Sequence, residues 1–327
     1  MAAVSTVRGG VDSAGLGVTL IHEHICFRFV GMRQTGGPFL DEAFRFDLEL
    51  LRKARAVGIN TVVDLTPWPN VGELVELNAL LPEMHFVLST GAYIDGMGPE
   101  EIRALSEAEM EEHMALNITD GYEGFESTGV KAGIIKVGSR DQNITEWEKK
   151  NFRAAARVQQ RLRVPIAVHS VAGARNQMEV LRAAGADISG TFYSHVEAEF
   201  GWEGRSLQEE ARYLEEIARE GGHLQFNNFD FEFDTPFPDM LYLINHLEER
   251  GYGDRIFISI DVNIEVDDQG KIWLEAERQH PEAGRRTYAY MITHAVPMLM
   301  SGGVSLQRIS RYLIDNPRRF FEALHGS

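Results

Sequence analysis

One cysteine, Cys26, stands alone in 327 residues, which excludes an internal disulfide framework and fits a reducing compartment. No stretch approaches the roughly 18 uninterrupted apolar residues of a membrane-spanning helix. The opening MAAVSTVRGGVDSAG has no apolar core of a secretory signal, so a cytoplasmic, membrane-free protein is expected. Positive charge is scarce: 32 Lys and Arg face 49 Asp and Glu, leaving a formal charge of −17. With no basic stripe to offset it, that field repels nucleic acid and anionic membranes. A small molecule is the expected partner. A glycine-rich phosphate loop after an early strand is also missing, which argues against an open doubly wound sheet. Repeats, low-complexity tracts and linkers are absent too. One domain is expected over 1–327, with a short β segment over about 1–17 before the first strand of the main sheet.

What the chain does contain is ordinary for a soluble enzyme, 44% hydrophobic and 25% charged, and long enough to bury a large core. Short β-rich runs alternate with longer amphipathic stretches throughout. The expected strands are Val18–Ile25, Asn60–Thr66, His85–Thr90, Ala132–Val137, Val164–His169, Gly190–His195, His223–Asn227 and Arg255–Asp261. Most are rich in Val, Ile and Leu without strict alternation, as in parallel strands covered on both faces. Helices are expected over Asp41–Val57, Glu146–Leu162 and Arg205–Arg219, punctuated by Gly58, Pro165, Gly221 and Gly222. Eight strand–helix pairs predict an α/β fold, a (β/α)8 TIM barrel. Two long connections, Gly91–Lys131 and Val262–Arg285, are expected to act as lids or substrate walls.

Six residues that can bind metal sit at or near strand ends: His22, His24, Lys136, His169, His195 and Asp261. Side chains two apart in a strand share a face, so His22 and His24 point one way and Glu23 the other. Neighbouring imidazoles on an inward face need a metal or hydrogen bonds. Asp261 closes the apolar run RIFISID, a poor place for a carboxylate without a cation. Each residue alone reads as a hydrogen-bonded structural group. Gathered at the C-terminal rim, where barrel enzymes do their chemistry, they read together as a metal centre. Lys136 is the odd member, since a bare ammonium beside two cations is strongly repelled. It must be neutral, displaced or converted to an anion, unless it is an aldolase-type Schiff-base lysine.

In this order the residues resemble the phosphotriesterase family of the amidohydrolase superfamily. The likeness runs from TVRGGVDSAGLGVTLIHEH through GINTVVDLT, STGAYID, AGIIKVG, VPIAVHS, the YSH strand and ISID to IDNPRRFF. It implies that His22, His24 and Asp261 hold a more buried divalent metal and His169 and His195 a more exposed one. CO2 would convert Lys136 to a carbamate bridging both ions. Zinc is usual in the family, with cobalt, manganese or iron compatible with the same donors. The implied reaction is hydrolysis by a water deprotonated between the two cations, with Asp261 carrying its proton toward the leaving group. Homodimers are common in the family, and one is expected here by that analogy.

For substrate contacts the expected residues are Tyr93, Trp68 and Phe229, with Phe27, Phe29, Trp202 and Trp273 as further apolar wall positions. The segment NNFDFEFDTPFPD carries Asp230, Glu232 and Asp234 and no cation. It disfavours a dianionic substrate, so an uncharged or cationic ester or lactone is expected, with weaker phosphotriester hydrolysis. An amide hydrolase on the same site, or a catalytically silent ligand-binding protein, is the alternative. Cys26 reads as a packing residue. His113, His246, His280 and His325 read as background, His85 and His223 as residues of the opposite rim, and His294 as part of a helix on the barrel wall.

Overall fold

The computed structural model describes residues 3–25, 38–171, 173–199, 204–229, 235–266, 272–274 and 286–324. Cys26, Phe27, Phe29, Trp202, Asp230, Glu232, Asp234, His280, His325 and the side chain of Trp273 lie outside what it describes. A hairpin of β1 (Ala3–Thr6) and β2 (Gly9–Asp12) comes first. The main sheet has eight parallel strands in sequence order: β3 (Thr19–Glu23), β4 (Thr61–Asp64), β5 (His85–Gly91), β6 (Ala132–Ser139), β7 (Ile166–Ser170), β8 (Thr191–Ser194), β9 (His223–Phe226) and β10 (Ile256–Ile258). Seven fall within a residue or two of the expected runs, and the eighth ends three residues short of Asp261. Asp261 N donates to His22 O at 3.2 Å, and His24 N to Val262 O at 3.2 Å. Those bonds draw the last strand onto the first and make the sheet a (β/α)8 barrel.

Alternation along the strands sorts side chains into two apolar bodies. Val63, Val87, Ile134, Ala167, Phe192 and Phe257 point inward and pack with Val4, Phe320 and Phe321. The N-terminal hairpin and the last helix, Asn316–Ala323, therefore plug the bottom of the barrel. Outward residues such as Val62, Phe86, Ile135, Val168 and Ile258 meet the helices. These include α1 (Pro38–Ala56), α2 (Val71–Leu80), α3 (Glu100–Ala104), α4 (Glu107–Thr119) and α5 (Glu146–Leu162). They continue with α6 (Ala174–Ala183), α7 (Leu207–Arg219) and α8 (Phe237–Glu249). Helices α4, α5 and α7 start on full capping boxes, Ser106/Glu109, Thr145/Glu148 and Ser206/Glu209. Each box satisfies backbone donors that a helix start would otherwise leave unpaired.

Both long connections contain regular structure. Much of 91–131 is helix: α4 lies along α5, tied to it by Arg153–Glu107 (2.6 Å) and Arg157–Glu111 (2.6 Å). That helix lies on the outer wall of the barrel, while Tyr93 at the start of the same connection lies at the rim. The later connection opens with an antiparallel ladder of β11 (Ile264–Val266) and β12 (Ile272–Leu274). Among the described residues no helix is long and apolar enough to cross a membrane.

Candidate metal centre

Counting by twos from the inward apolar layer predicts what the rim receives. Ile134 leads to Lys136, Ala167 to His169, and Phe257 through Ser259 to Asp261. The first strand breaks this count. Leu20 pairs with Val62 but Glu23 pairs with Asp64, so β3 carries one residue more than its neighbour. Ile21 lies in the inner body and Leu20 in the outer one. Without the bulge, His22 would share the outward face of Leu20; with it, His22 and His24 turn to the axis. Glu23 points to the seam with the last strand, where it bonds Ser259, Ile260 and Val262.

His195 follows Ser194, the inward residue of β8, and strict alternation would face it outward. It turns in through a left-handed backbone with φ 59°. Asp261 has φ 59° as well. Such conformations cost of order 1–3 kcal/mol each and concentrate at functional sites. Gly91 (φ 137°) is required where it stands, because a Cβ there would overlap the Lys136 carbonyl oxygen.

The result is a convergence on one carboxylate. His22 Nε2 and His24 Nε2 lie 3.5 and 3.4 Å from Asp261 Oδ1, and His195 Nε2 lies 3.7 Å from Oδ2. Lys136 Nζ is 3.3 Å from His22 Nε2. His169 faces His195 with ring centroids 4.7 Å apart. The far nitrogens are held from behind: His22 Nδ1 is 3.0 Å from Gln225 Oε1 and His24 Nδ1 is 2.9 Å from Thr66 Oγ1. An amide oxygen only accepts, so His22 carries its proton on Nδ1 and turns a lone pair inward from Nε2. Gln225 and Thr66 went unnoticed in the sequence. Gln225 has a signal after the fact, as a polar residue two positions after His223 in an otherwise apolar strand.

Burial dominates the electrostatics. It pulls the pKa of His22, His24 and His169 well below the usual histidine value and that of His195 to about 3, with Lys136 acting in the same direction. All four are neutral at pH 7, the form that binds metal. Burial lowers the pKa of Lys136 and raises that of Asp261, while each favours the charged form of the other.

This donor set fits divalent cations. His22, His195 and Asp261 offer ligand atoms within 4.8 Å of one another. His195 Nε2 is buried with no hydrogen bond to any described residue, an expense that a cation would relieve. Lys136 is fully buried among the histidines, where a free amine is easier to keep than an ammonium.

Of the expected substrate contacts, Tyr93 reaches the centre, its hydroxyl 3.2 Å from His169 Nδ1 and 3.3 Å from Nε2. Trp68 is half-buried with its ring against Gly98. Phe229 is a correction: it is fully buried in the outer apolar body, so it leaves no surface for a substrate. His223 and His85 lie at the opposite rim, as expected, and His294 is exposed with its ring stacked on Tyr290 at 4.5 Å.

Comparison with known proteins agrees with this architecture. The model of the Phosphotriesterase family matches residues 2–321. A "Phosphotriesterase homology protein" of Mycobacterium tuberculosis (strain CDC 1551 / Oshkosh) is 28% identical, covering 100% of this chain and 99% of its own length. An "N-acetyltaurine hydrolase" of Danio rerio is 25% identical, covering 97% of each chain. The solved "Structure of the phosphotriesterase from Mycobacterium tuberculosis" superposes with a TM-score of 0.80 at 25% identity, over 98% of each chain.

Proposed function

Because this chain belongs to the phosphotriesterase family, a family of metal-dependent hydrolases, we propose that it uses a pair of divalent metal ions to hydrolyse an ester or lactone. The observation that carries this reading is the convergence of three imidazole Nε2 atoms on the Asp261 carboxylate at 3.4–3.7 Å, with Lys136 beside them. His22, His24 and Asp261 would hold one ion, His169 and His195 the other, and a carbamate formed on Lys136 would join them. Zinc is the first choice for both. When bound, the ions supply Lewis acidity toward the substrate oxygen and make water acidic enough to react at neutral pH.

The chain's own groups do the rest. Asp261 is the one carboxylate among the proposed ligands. It receives the proton of the attacking water and returns it to the leaving oxygen, so that one C–O bond breaks as another forms. Tyr93 offers its hydroxyl beside His169, where a substrate carbonyl would enter. The buried walls exclude bulk water and strengthen each electrostatic contact.

A second reading, amide hydrolysis at the same site, is favoured by relatives named N-acetyltaurine hydrolase at 24–25% identity. One set of measurements tests both. Metal analysis should find two ions per chain. The zinc-loaded protein is then assayed on lactones, aryl esters, N-acyl amides and a paraoxon-type triester. Turnover of amides alone would replace the ester and lactone reading with the second one. Asp261→Asn, which keeps the shape and tolerates left-handed φ, should stay folded and lose at least about 100-fold in kcat. Near-normal turnover would remove Asp261 from the chemistry.

A further inference from the structure

We infer that Glu23, the middle residue of the histidine pair's own motif, is a positioning residue that holds Asp261 in its left-handed conformation. The inference rests on the proposed hydrolase reading for its functional consequence and on geometry for its substance. Glu23 is fully buried and spends its carboxylate on one short stretch of chain. Oε1 accepts from Ser259 Oγ at 2.7 Å and from Ile260 N at 2.9 Å, and Oε2 accepts from Val262 N at 2.7 Å. The residues on either side of Asp261 therefore donate to the two oxygens of a single side chain. Asp261 N itself donates to His22 O, and the Val262 carbonyl accepts from His24 N. Ser259 Oγ also accepts from His22 N at 3.1 Å. The HEH segment and the SIDV segment are thus laced together at consecutive positions.

The geometry explains why a carboxylate is needed. A left-handed turn at Asp261 swings the flanking N–H groups off the barrel ladder, where strand partners would have taken them. Buried donors must find acceptors. A carboxyl group sets two acceptor oxygens side by side, enough to take all three donors of this stretch. The same bulge in β3 that turns His22 and His24 to the axis aims Glu23 at this seam. One irregularity thereby sets both halves of the site. Arg286, also buried, reinforces the seam from outside by donating to the carbonyls of Asn227 and Ile260.

The test compares Glu23→Gln with Glu148→Gln. Glu148 is equally buried and accepts from the backbone N–H groups of Asp95, Arg140 and Thr145, but it clamps a different loop. Gln keeps the size and replaces one acceptor with a donor, so both variants should lose stability. In metal-free protein, hydrogen exchange over residues 258–264 should quicken at least about 10-fold in Glu23→Gln and stay unchanged in Glu148→Gln. Zinc affinity should fall about 10–100-fold in Glu23→Gln only, the range for residues that support ligands from behind. Glu23→Asp, which keeps the charge with shorter reach, should fall between wild type and Glu23→Gln, and serves if Glu23→Gln does not fold. Unchanged exchange over 258–264, or zinc affinity within about threefold of wild type, would overturn the inference. If wild-type protein takes up no zinc, the hydrolase reading fails, while the exchange experiment still decides whether Glu23 holds the turn.

Discussion

Removing His223 should make the protein markedly more tolerant of mild acid. This residue opens β9 and points into the bottom of the barrel, far from the metal-ligand rim. Its ring stacks on Phe257 (centroids 5.0 Å apart, 5° between planes) and meets the edge of Phe320 at 5.1 Å. Only 4% of it is exposed. Burial, then the neighbouring Arg255 guanidinium, pull its pKa to about 3. In the unfolded chain the same imidazole titrates near 6.5. A folded pKa lying below the unfolded one means that acid favours unfolding, because only the unfolded chain readily takes the proton. The loss begins as pH falls through 6.5 and continues until about 3. Between pH 7 and pH 5 the linkage relation gives a cost of about 2 kcal/mol for this one group. His223→Leu fills similar space with no titrating group. Its loss of ring stacking is a pH-independent offset, and the acid sensitivity of the other buried histidines is common to both proteins. Urea unfolding of metal-free wild type and His223→Leu at pH 7 and pH 5 isolates the difference. The variant's stability relative to wild type should improve by about 2 kcal/mol on going to pH 5. A relative stability that does not change with pH would refute the argument that His223 is held neutral by burial.

Gly91→Ala should destabilise by about 3 kcal/mol or more, since it adds overlap with the Lys136 carbonyl to the cost of a positive φ. Gly58→Ala, with φ 99° and open space around it, should cost only about 1 kcal/mol, and equal losses in chemical denaturation would rule out the overlap. Lys136→Met should raise the Tm of the metal-free protein, because it removes a buried amine whose folded pKa is depressed and whose cost grows as pH falls from the unfolded value. The same variant should lose hydrolysis; a lower Tm would contradict the buried-amine argument. Tyr93→Phe should lower Tm only slightly, through loss of the His169 contact, and lower kcat/KM about fivefold, the worth of one hydrogen bond near 1 kcal/mol. Unaltered kinetics on every substrate of the panel would make Tyr93 a packing residue.

Much of this was readable in the chain because it depends on local pattern. Eight apolar runs separated by helix-length stretches leave few ways to be buried, and the barrel follows. Lys136 and His169 obey simple alternation from Ile134 and Ala167, so a strand reading places them inward. Phe229 shows where such reading stops: an aromatic residue just past a strand end could face the cavity or the helices, and packing put it with the helices. The long 91–131 connection hid its helix for a related reason. Its helix α4 has weak amphipathic contrast and is held to α5 by arginine–glutamate pairs between distant parts of the chain, which no local pattern announces.

By itself the sequence determined which donors exist, their order along the chain and the parallel strands that carry them, because periodicity and composition act over a few residues. Tertiary structure alone decided which way key side chains face. The extra residue in β3 and the left-handed turn at His195 override alternation. The β3 bulge and the left-handed turn at Asp261 are held by bonds made across the closed barrel, from Glu23 to Ser259, Ile260 and Val262, which outweigh the local preference of the backbone.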